Sequence, residues 1–328
     1  MMRLPPFRYL SAGSLDEAVA LLAENAPYAV PVAGGTDLLP NMKRRQAEPG
    51  VLVALRGVPE LIGVRGEAEA GLCIGAMTPL AEIAAHPALR AAFPALAEAA
   101  DLVATPQVRR MATLAGNLCA DTRCTFFDQT LQWRRSAGFC LKKDGTVCHV
   151  AEGGKRCWAV SSSDIAPVLC SLGATIRVVG PGGERILPVS DLYRDDGARP
   201  LATASAEILA EVRLPPGAGW RSAYLKLRRR EAFDFPVLGV AAAVRLEGEI
   251  VREAGIAVGG VASRPLVLPE AQEALIGRAL TEETIVAAAE AAARQPRPLE
   301  NTDYPALYRK KLTRVYIRRA LRRIAGLE

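Results

Sequence analysis

Ala33-Gly34-Gly35-Thr36-Asp37-Leu38 is the stretch on which the fold turns. It follows an apolar run, Tyr28 to Ala33, that reads as a strand, and it precedes an apolar turn. Paired glycines let a backbone approach an anion closely, with several N–H groups converging on it. Thr36 adds a hydroxyl donor. Asp37 cannot face a phosphate oxygen unpaired, so it should point to a hydroxyl, an amide or a cation. Thr113-Leu114-Ala115-Gly116-Asn117-Leu118 repeats this chemistry further along the chain and reads as a turn, because of its Gly-Asn pair. Neither segment is a P-loop, since no Gly-Lys-Ser/Thr follows, and neither fits the Rossmann Gly-x-Gly-x-x-Gly. Taken singly, each is an ordinary tight turn. Taken together, they can grip the two halves of a pyrophosphate.

Working outward, Ser14-Leu15-Asp16-Glu17 reads as a capping box opening a helix to about Glu24. With strands at Tyr28–Ala33 and Val51–Leu55 this makes a small β-α-β unit. Leu72–Ala76 is a strand, Thr78 caps a helix through Ala85, and Pro87–Val103 is helical with a break near Pro94. Asp164–Ser171 is a helix, and Ala174–Val179 and Ile208–Leu214 are strands. Pro215-Pro216-Gly217 marks a domain boundary. Beyond it, Leu238–Leu246 and Ile250–Val258 form a hairpin around Glu247-Gly248-Glu249. Helices are predicted at about 268–277, 281–294 and 303–326, with Thr281 capping the middle one. The fold class is α+β.

The 328 residues suffice for two domains, and 50% are hydrophobic, so a sizeable core is available. The net charge of +6 is mild. Basic residues from Arg309 to Arg323 recur at helical spacing beside Leu312, Val315, Ile317 and Leu321, and read as a solvated face or a protein contact. No aromatic platform or groove-reading motif accompanies them, which argues against nucleic acid. No run of about 18 apolar residues exists to span a membrane, and no signal-peptide run opens the chain. The expected location is cytoplasmic.

Residues 121–160 differ from the rest. Four of the seven cysteines lie there, and no apolar period persists. A long irregular stretch inside a compact domain is functional, disordered, or held by something other than a core. In a reducing compartment, clustered cysteines argue for metal or redox chemistry. Four thiolates suit an iron–sulfur cluster, or zinc, although structural zinc sites usually carry Cys-x2–4-Cys knuckles and the gaps here are longer. Free surface thiols are the remaining alternative. Seven Lys/Arg against four acids would offset an anionic cluster. Cys119 is a fifth candidate that spacing alone does not remove. Cys73 and Cys170 sit in apolar runs and read as core, and His86 reads as structural.

The two glycine turns resemble the flavin motifs of the FAD-binding subunits of the xanthine dehydrogenase and carbon monoxide dehydrogenase family. The second motif extends from Gln107-Val108-Arg109, and Ala115 stands where the family usually has Gly. Ser163-Asp164-Ile165-Ala166-Pro167, Tyr224-Leu225-Lys226 through Asp234-Phe235-Pro236, and Gly259-Gly260-Val261-Ala262 are similar to later family segments, so the likeness covers nearly the whole chain outside the cysteine loop. It implies a two-part flavin domain of the vanillyl-alcohol oxidase (PCMH) type at 1–216, divided at 56/57, with the insertion 121–160, and a smaller α+β domain of the CO dehydrogenase flavoprotein C-terminal type at 217–328. It implies FAD contacts at Pro31, Val32, Ala33, Gly34, Gly35, Thr36, Asp37 and Leu38, at Val103, at Thr113, Leu114, Ala115, Gly116 and Asn117, and at Asp164, Leu209 and Lys226.

The insertion resembles that of the 4-hydroxybenzoyl-CoA reductase β subunits, which carry a [4Fe–4S] cluster there. The resemblance assigns Cys124, Cys140, Cys148 and Cys157 as ligands, and leaves out Cys119 and His149. It further implies an oxidoreductase subunit without catalytic residues of its own. The implied partners are a large molybdopterin-binding subunit, a small [2Fe–2S] subunit and an external donor such as ferredoxin.

Overall fold

A computed structural model describes residues 3–327. β1 (Arg8–Ser11) leads into α1 (Leu15–Glu24), followed by β2 (Ala29–Val32), α2 (Leu38–Lys43) and β3 (Val51–Ala54). The three strands form a parallel sheet in the order β1-β3-β2. β1 escapes a reading of periodicity because its residues are largely exposed and show no buried alternation. Only half of the expected capping box is present. The Ser14 hydroxyl accepts from the Glu17 amide, but the Glu17 carboxylate accepts from Gly13 N–H and not from Ser14.

β4 (Val64–Glu67) and β5 (Gly71–Gly75) come next. They are followed by short helices α3 (Leu80–Ala85), α4 (Pro87–Ala92), α5 (Pro94–Asp101), α6 (Pro106–Arg109), α7 (Leu114–Leu118), α8 (Leu131–Ser136) and α9 (Ile165–Ser171). β6 (Thr175–Gly180), β7 (Gly183–Pro188) and β8 (Ile208–Arg213) complete an antiparallel sheet in the order β4-β5-β8-β6-β7. Two expectations are corrected here. Thr78 does not cap α3, which starts after Pro79; its hydroxyl instead bonds the Gly63 amide and carbonyl. Leu114–Leu118 is a helical turn and not a loop, because the Thr113 hydroxyl accepts from the Gly116 amide and caps it.

The last part holds β9 (Trp220–Leu227), β10 (Leu238–Glu247), β11 (Ile250–Gly259) and β12 (Leu266–Val267), antiparallel in the order β12-β11-β10-β9. α10 (Pro269–Glu273), α11 (Glu282–Ala292) and α12 (Ala306–Ala325) back one face of it, where Val240, Val258, Ile285, Ile317 and Leu321 are buried. Its other face gives Tyr224, Ala241 and Ala243 to the large core that contains α5 and α9. Arg309 departs from the solvated face expected of α12. It is fully buried, and its guanidinium donates to the Gly260 and Leu299 carbonyls and to Asn301 Oδ1. Helical spacing puts it beside exposed arginines; two acceptors from the preceding loop and one from the turn after β11 decide its burial.

Candidate functional site

The two glycine turns meet. A Cβ placed on Gly34 would lie 1.8 Å from the Met111 carbonyl oxygen, so only glycine allows the first turn to pack on the segment that leads into the second. Gly35 has φ +70°, a left-handed conformation that disfavours other residues. A Cβ on Gly116 would lie 3.9 Å from Ala33 Cβ. Ala115 is helical and has no positive φ, so its replacement of glycine costs nothing in backbone conformation.

Around these turns runs a cleft with two lobes. The larger, about 370 Å³, is lined by Pro31 to Leu38, Thr113, Ala115, Gly116 and Leu209. The smaller, about 180 Å³, shares Thr36, Asp37 and Gly116 and adds Val103, Asn117, Asp164 and Phe235. Leu114 and Lys226 line neither lobe. Leu114 is in the core, and Lys226 lies behind Asp164.

Asp37 does meet a cation and amides. Its carboxylate pairs with the Arg123 guanidinium and accepts from the Asp121 amide at 3.0 Å and from Asn41 Nδ2 at 3.2 Å. Asp164 accepts from the Tyr224 hydroxyl at 2.7 Å and from Lys226 Nζ at 2.9 Å, while Lys226 also donates to the Leu102 carbonyl at 3.0 Å. Burial pushes the Asp164 pKa up and that of Lys226 down, each opposed by the attraction of the other. The Asn117 side-chain oxygen accepts from Ser163 Oγ at 2.7 Å and from the Ile165 amide at 3.2 Å, which ties the second turn to the start of α9.

The cysteine segment is closed at its ends by an antiparallel bridge, Arg123 to Val160. Within it, Cys124, Cys140, Cys148 and Cys157 all line one small apolar cavity, together with Phe126, Phe127 and His149. Burial pushes the Cys124 thiol up to about 12 and that of Cys157 up to about 11. Such thiols hold their protons at neutral pH unless a metal centre displaces them. Among the described residues no three His, Cys, Asp or Glu side chains stand as they would around a single ion. Cys119 lies elsewhere, in the larger lobe of the cleft. The His149 ring approaches the Phe139 carbonyl at 2.6 Å and packs on Phe126. Cys73 and Cys170 are half-buried and not fully in the core.

Residues 5–217 match the family described as the FAD binding domain in molybdopterin dehydrogenase, and residues 222–324 match the CO dehydrogenase flavoprotein C-terminal domain. The chain belongs to this family of FAD-binding subunits. The carbon monoxide dehydrogenase medium chain of Hydrogenophaga pseudoflava is 31% identical over 320 residues, which cover 97% of this chain and 96% of that one. The aldehyde oxidoreductase FAD-binding subunit of Escherichia coli (strain K12) is 33% identical over 274 residues, 79% of this chain and 82% of that one. The solved carbon monoxide dehydrogenase of H. pseudoflava superposes with a TM-score of 0.82 at 30% identity, covering 99% of each chain. The expected fold, a flavin domain followed by the CO dehydrogenase flavoprotein C-terminal domain, therefore holds, and so does the assignment to an oxidoreductase subunit. No helix among the described residues is long and apolar enough to cross a membrane.

Several residues around the cleft and the cysteine loop escape the sequence. Arg123 pairs with Asp37, approaches Asp128, and lies 4.4 Å from the Phe235 ring centroid. Asn301 donates to the Trp158 carbonyl at 2.6 Å, and its carbonyl accepts from the Thr125 amide, so the C-terminal part holds both arms of the cysteine loop. Arg134, counted by sequence only as loop charge, is buried against the Arg44 and Arg45 carbonyls. Their partners lie tens of residues away in the chain. The one available signal was a basic residue next to a candidate ligand cysteine.

Proposed function

We propose that this chain is the electron-transfer subunit of a molybdenum hydroxylase-type complex of the 4-hydroxybenzoyl-CoA reductase kind, binding FAD in the cleft and a [4Fe–4S] cluster at the four cysteines. The observation that carries the reading is that Cys124, Cys140, Cys148 and Cys157, spread over an insertion with little core of its own, wall a single cavity. The donor set fits a cluster: four sulfurs in an apolar lining. One zinc ion, with bonds of about 2.3 Å, would draw the sulfurs close together. A four-iron cube would hold its ligands further apart. The cavity is narrow, and its walls would have to move apart to admit a cluster.

In this reading the domains divide at 216/217. The backbone of Ala33–Asp37 and Thr113–Asn117 holds the FAD diphosphate, with Pro31, Val32, Leu38 and Leu209 against the larger lobe and Val103 against the smaller. Asp164 offers its carboxylate to a flavin-side hydroxyl, and Lys226 acts through Asp164 by fixing its orientation. Bound flavin exchanges electrons singly or in pairs, and the cluster exchanges one, so together they join single-electron carriers to a two-electron reaction. The chain itself provides orientation and charge. The substrate would be an aromatic acyl-CoA, whose ring hydroxyl would leave as water on reduction by two electrons and two protons at the molybdenum centre of a large partner subunit, giving benzoyl-CoA. A small [2Fe–2S] subunit lies between, and a ferredoxin-type donor feeds the cytoplasmic complex.

Anaerobic isolation of the complex tests this. About four irons and four acid-labile sulfides assignable to this chain, besides one FAD, are expected. Flavin with zinc and no labile sulfide would end the cluster assignment. Rapid bleaching of the flavin by NADH would favour an NAD-linked hydroxylase instead.

A further inference from the structure

Lys142 and Asp121 form an ion pair between the cleft and the cysteine cavity. The Lys142 side chain is only 5% exposed, against 35% for that of Asp121, and its ammonium donates to Asp121 Oδ1 at 2.7 Å, to Thr122 Oγ1 at 2.5 Å and to the Gly197 carbonyl at 2.7 Å. All three N–H donors of a lysine are thus used, so the head is held in one place. Lys142 lines the cysteine cavity and lies 5.0 Å from the centroid of the Phe127 ring, which lines it too. Asp121 lines the larger lobe of the cleft. The paired residues thus reach both cavities, Lys142 that of the cysteines and Asp121 the cleft.

We infer that the Lys142–Asp121 pair positions charge for both redox centres, with the ammonium tuning the cluster and the carboxylate tuning the flavin. The inference rests on the cluster reading above. A cation in a low-dielectric wall stabilises the form of a neighbouring centre that carries the extra electron, and so raises its reduction potential. Deleting the cation reverses this and leaves Asp121 uncompensated toward the flavin. Deleting the carboxylate leaves Lys142 uncompensated toward the cluster. The two deletions therefore act with opposite sign on both centres. A pair that served folding alone would weaken the loop in either variant without this reversal.

The test is a spectroelectrochemical titration of the intact complex, with the cluster followed by electron paramagnetic resonance and the flavin by its visible bands. Lys142→Met is expected to lower both midpoint potentials, Asp121→Asn to raise both, and Lys142→Arg, which keeps the charge, to leave the cluster near its native value. Should Lys142→Met fail to retain its cluster, the Asp121→Asn and Lys142→Arg arms still decide. Unmoved potentials in a cluster-containing Asp121→Asn variant, or shifts of one sign in both deletions, would overturn this inference and leave the cluster reading standing. An iron-free native complex would remove both.

Discussion

The flavin cleft and the cysteine cavity are built in opposite ways. The cleft is a backbone construction: Gly34 packs on the Met111 carbonyl, Gly35 takes a left-handed conformation, and the Thr113 hydroxyl caps the turn that follows. Its shape is decided by close approach, and the sheets and helices around it are already packed. The cysteine cavity is a side-chain construction on a segment with little core of its own. Cys124, Phe127, Cys157 and Ala159 make only a small buried cluster. The segment is held by anchors to other parts of the molecule: Arg123 to Asp37, Lys142 to Asp121, Arg134 to the Arg44 and Arg45 carbonyls, and the Trp158 carbonyl to Asn301. A backbone site tolerates almost no added atom. A side-chain site can lose one ligand and leave its neighbours folded, provided that its anchors remain.

That contrast can be broken most directly at Gly34. Gly34→Val puts atoms where the Met111 carbonyl stands, so the turns must separate, and no FAD should survive gel filtration. Stoichiometric flavin in that variant would mean that the cleft is not set by backbone contact. Cys140→Ser is the counterpart. It should abolish the [4Fe–4S] signal while flavin absorbance persists, because Cys140 lines the cysteine cavity and not the cleft. Joint loss of both cofactors would show that the two sites are one construction. Arg123→Gln probes the link between them. Removing a charge-assisted partner of Asp37 is expected to cost about 1.5–3 kcal/mol in denaturant unfolding and to weaken FAD and cluster retention together. Thr113→Ala removes only a cap, so about 1 kcal/mol should be lost, with flavin affinity falling and iron content unchanged.

Much of the cleft was legible because its signals are local. Paired glycines after a strand, a Ser-Asp segment and a Pro-Gly boundary are each written within a few residues. The Thr113–Leu118 segment was misread for a physical reason: its Gly-Asn pair signals a turn, but the Thr113 hydroxyl satisfies the Gly116 amide and pulls the segment into a helical turn. The segment from Tyr224 to Lys226 is legible as a motif and not as part of the strand β9. The Lys226–Asp164 pair is out of reach of the sequence, since it joins strand β9 to the start of α9, 62 residues apart in the chain.

By itself, the sequence determined the larger core strands and helices but not β1, β4, β7, β9 or β12, together with the two glycine-containing segments, the insertion and the four cysteines that set it apart. Those features depend on backbone conformation and residue spacing, which act over a few positions. Only the tertiary structure decided that the turns touch, that Cys119 faces the cleft and not the other four thiols, and that Arg309 is buried. Each of these depends on which distant group fills the neighbouring space, and packing of that kind is settled only when the whole chain has closed around it.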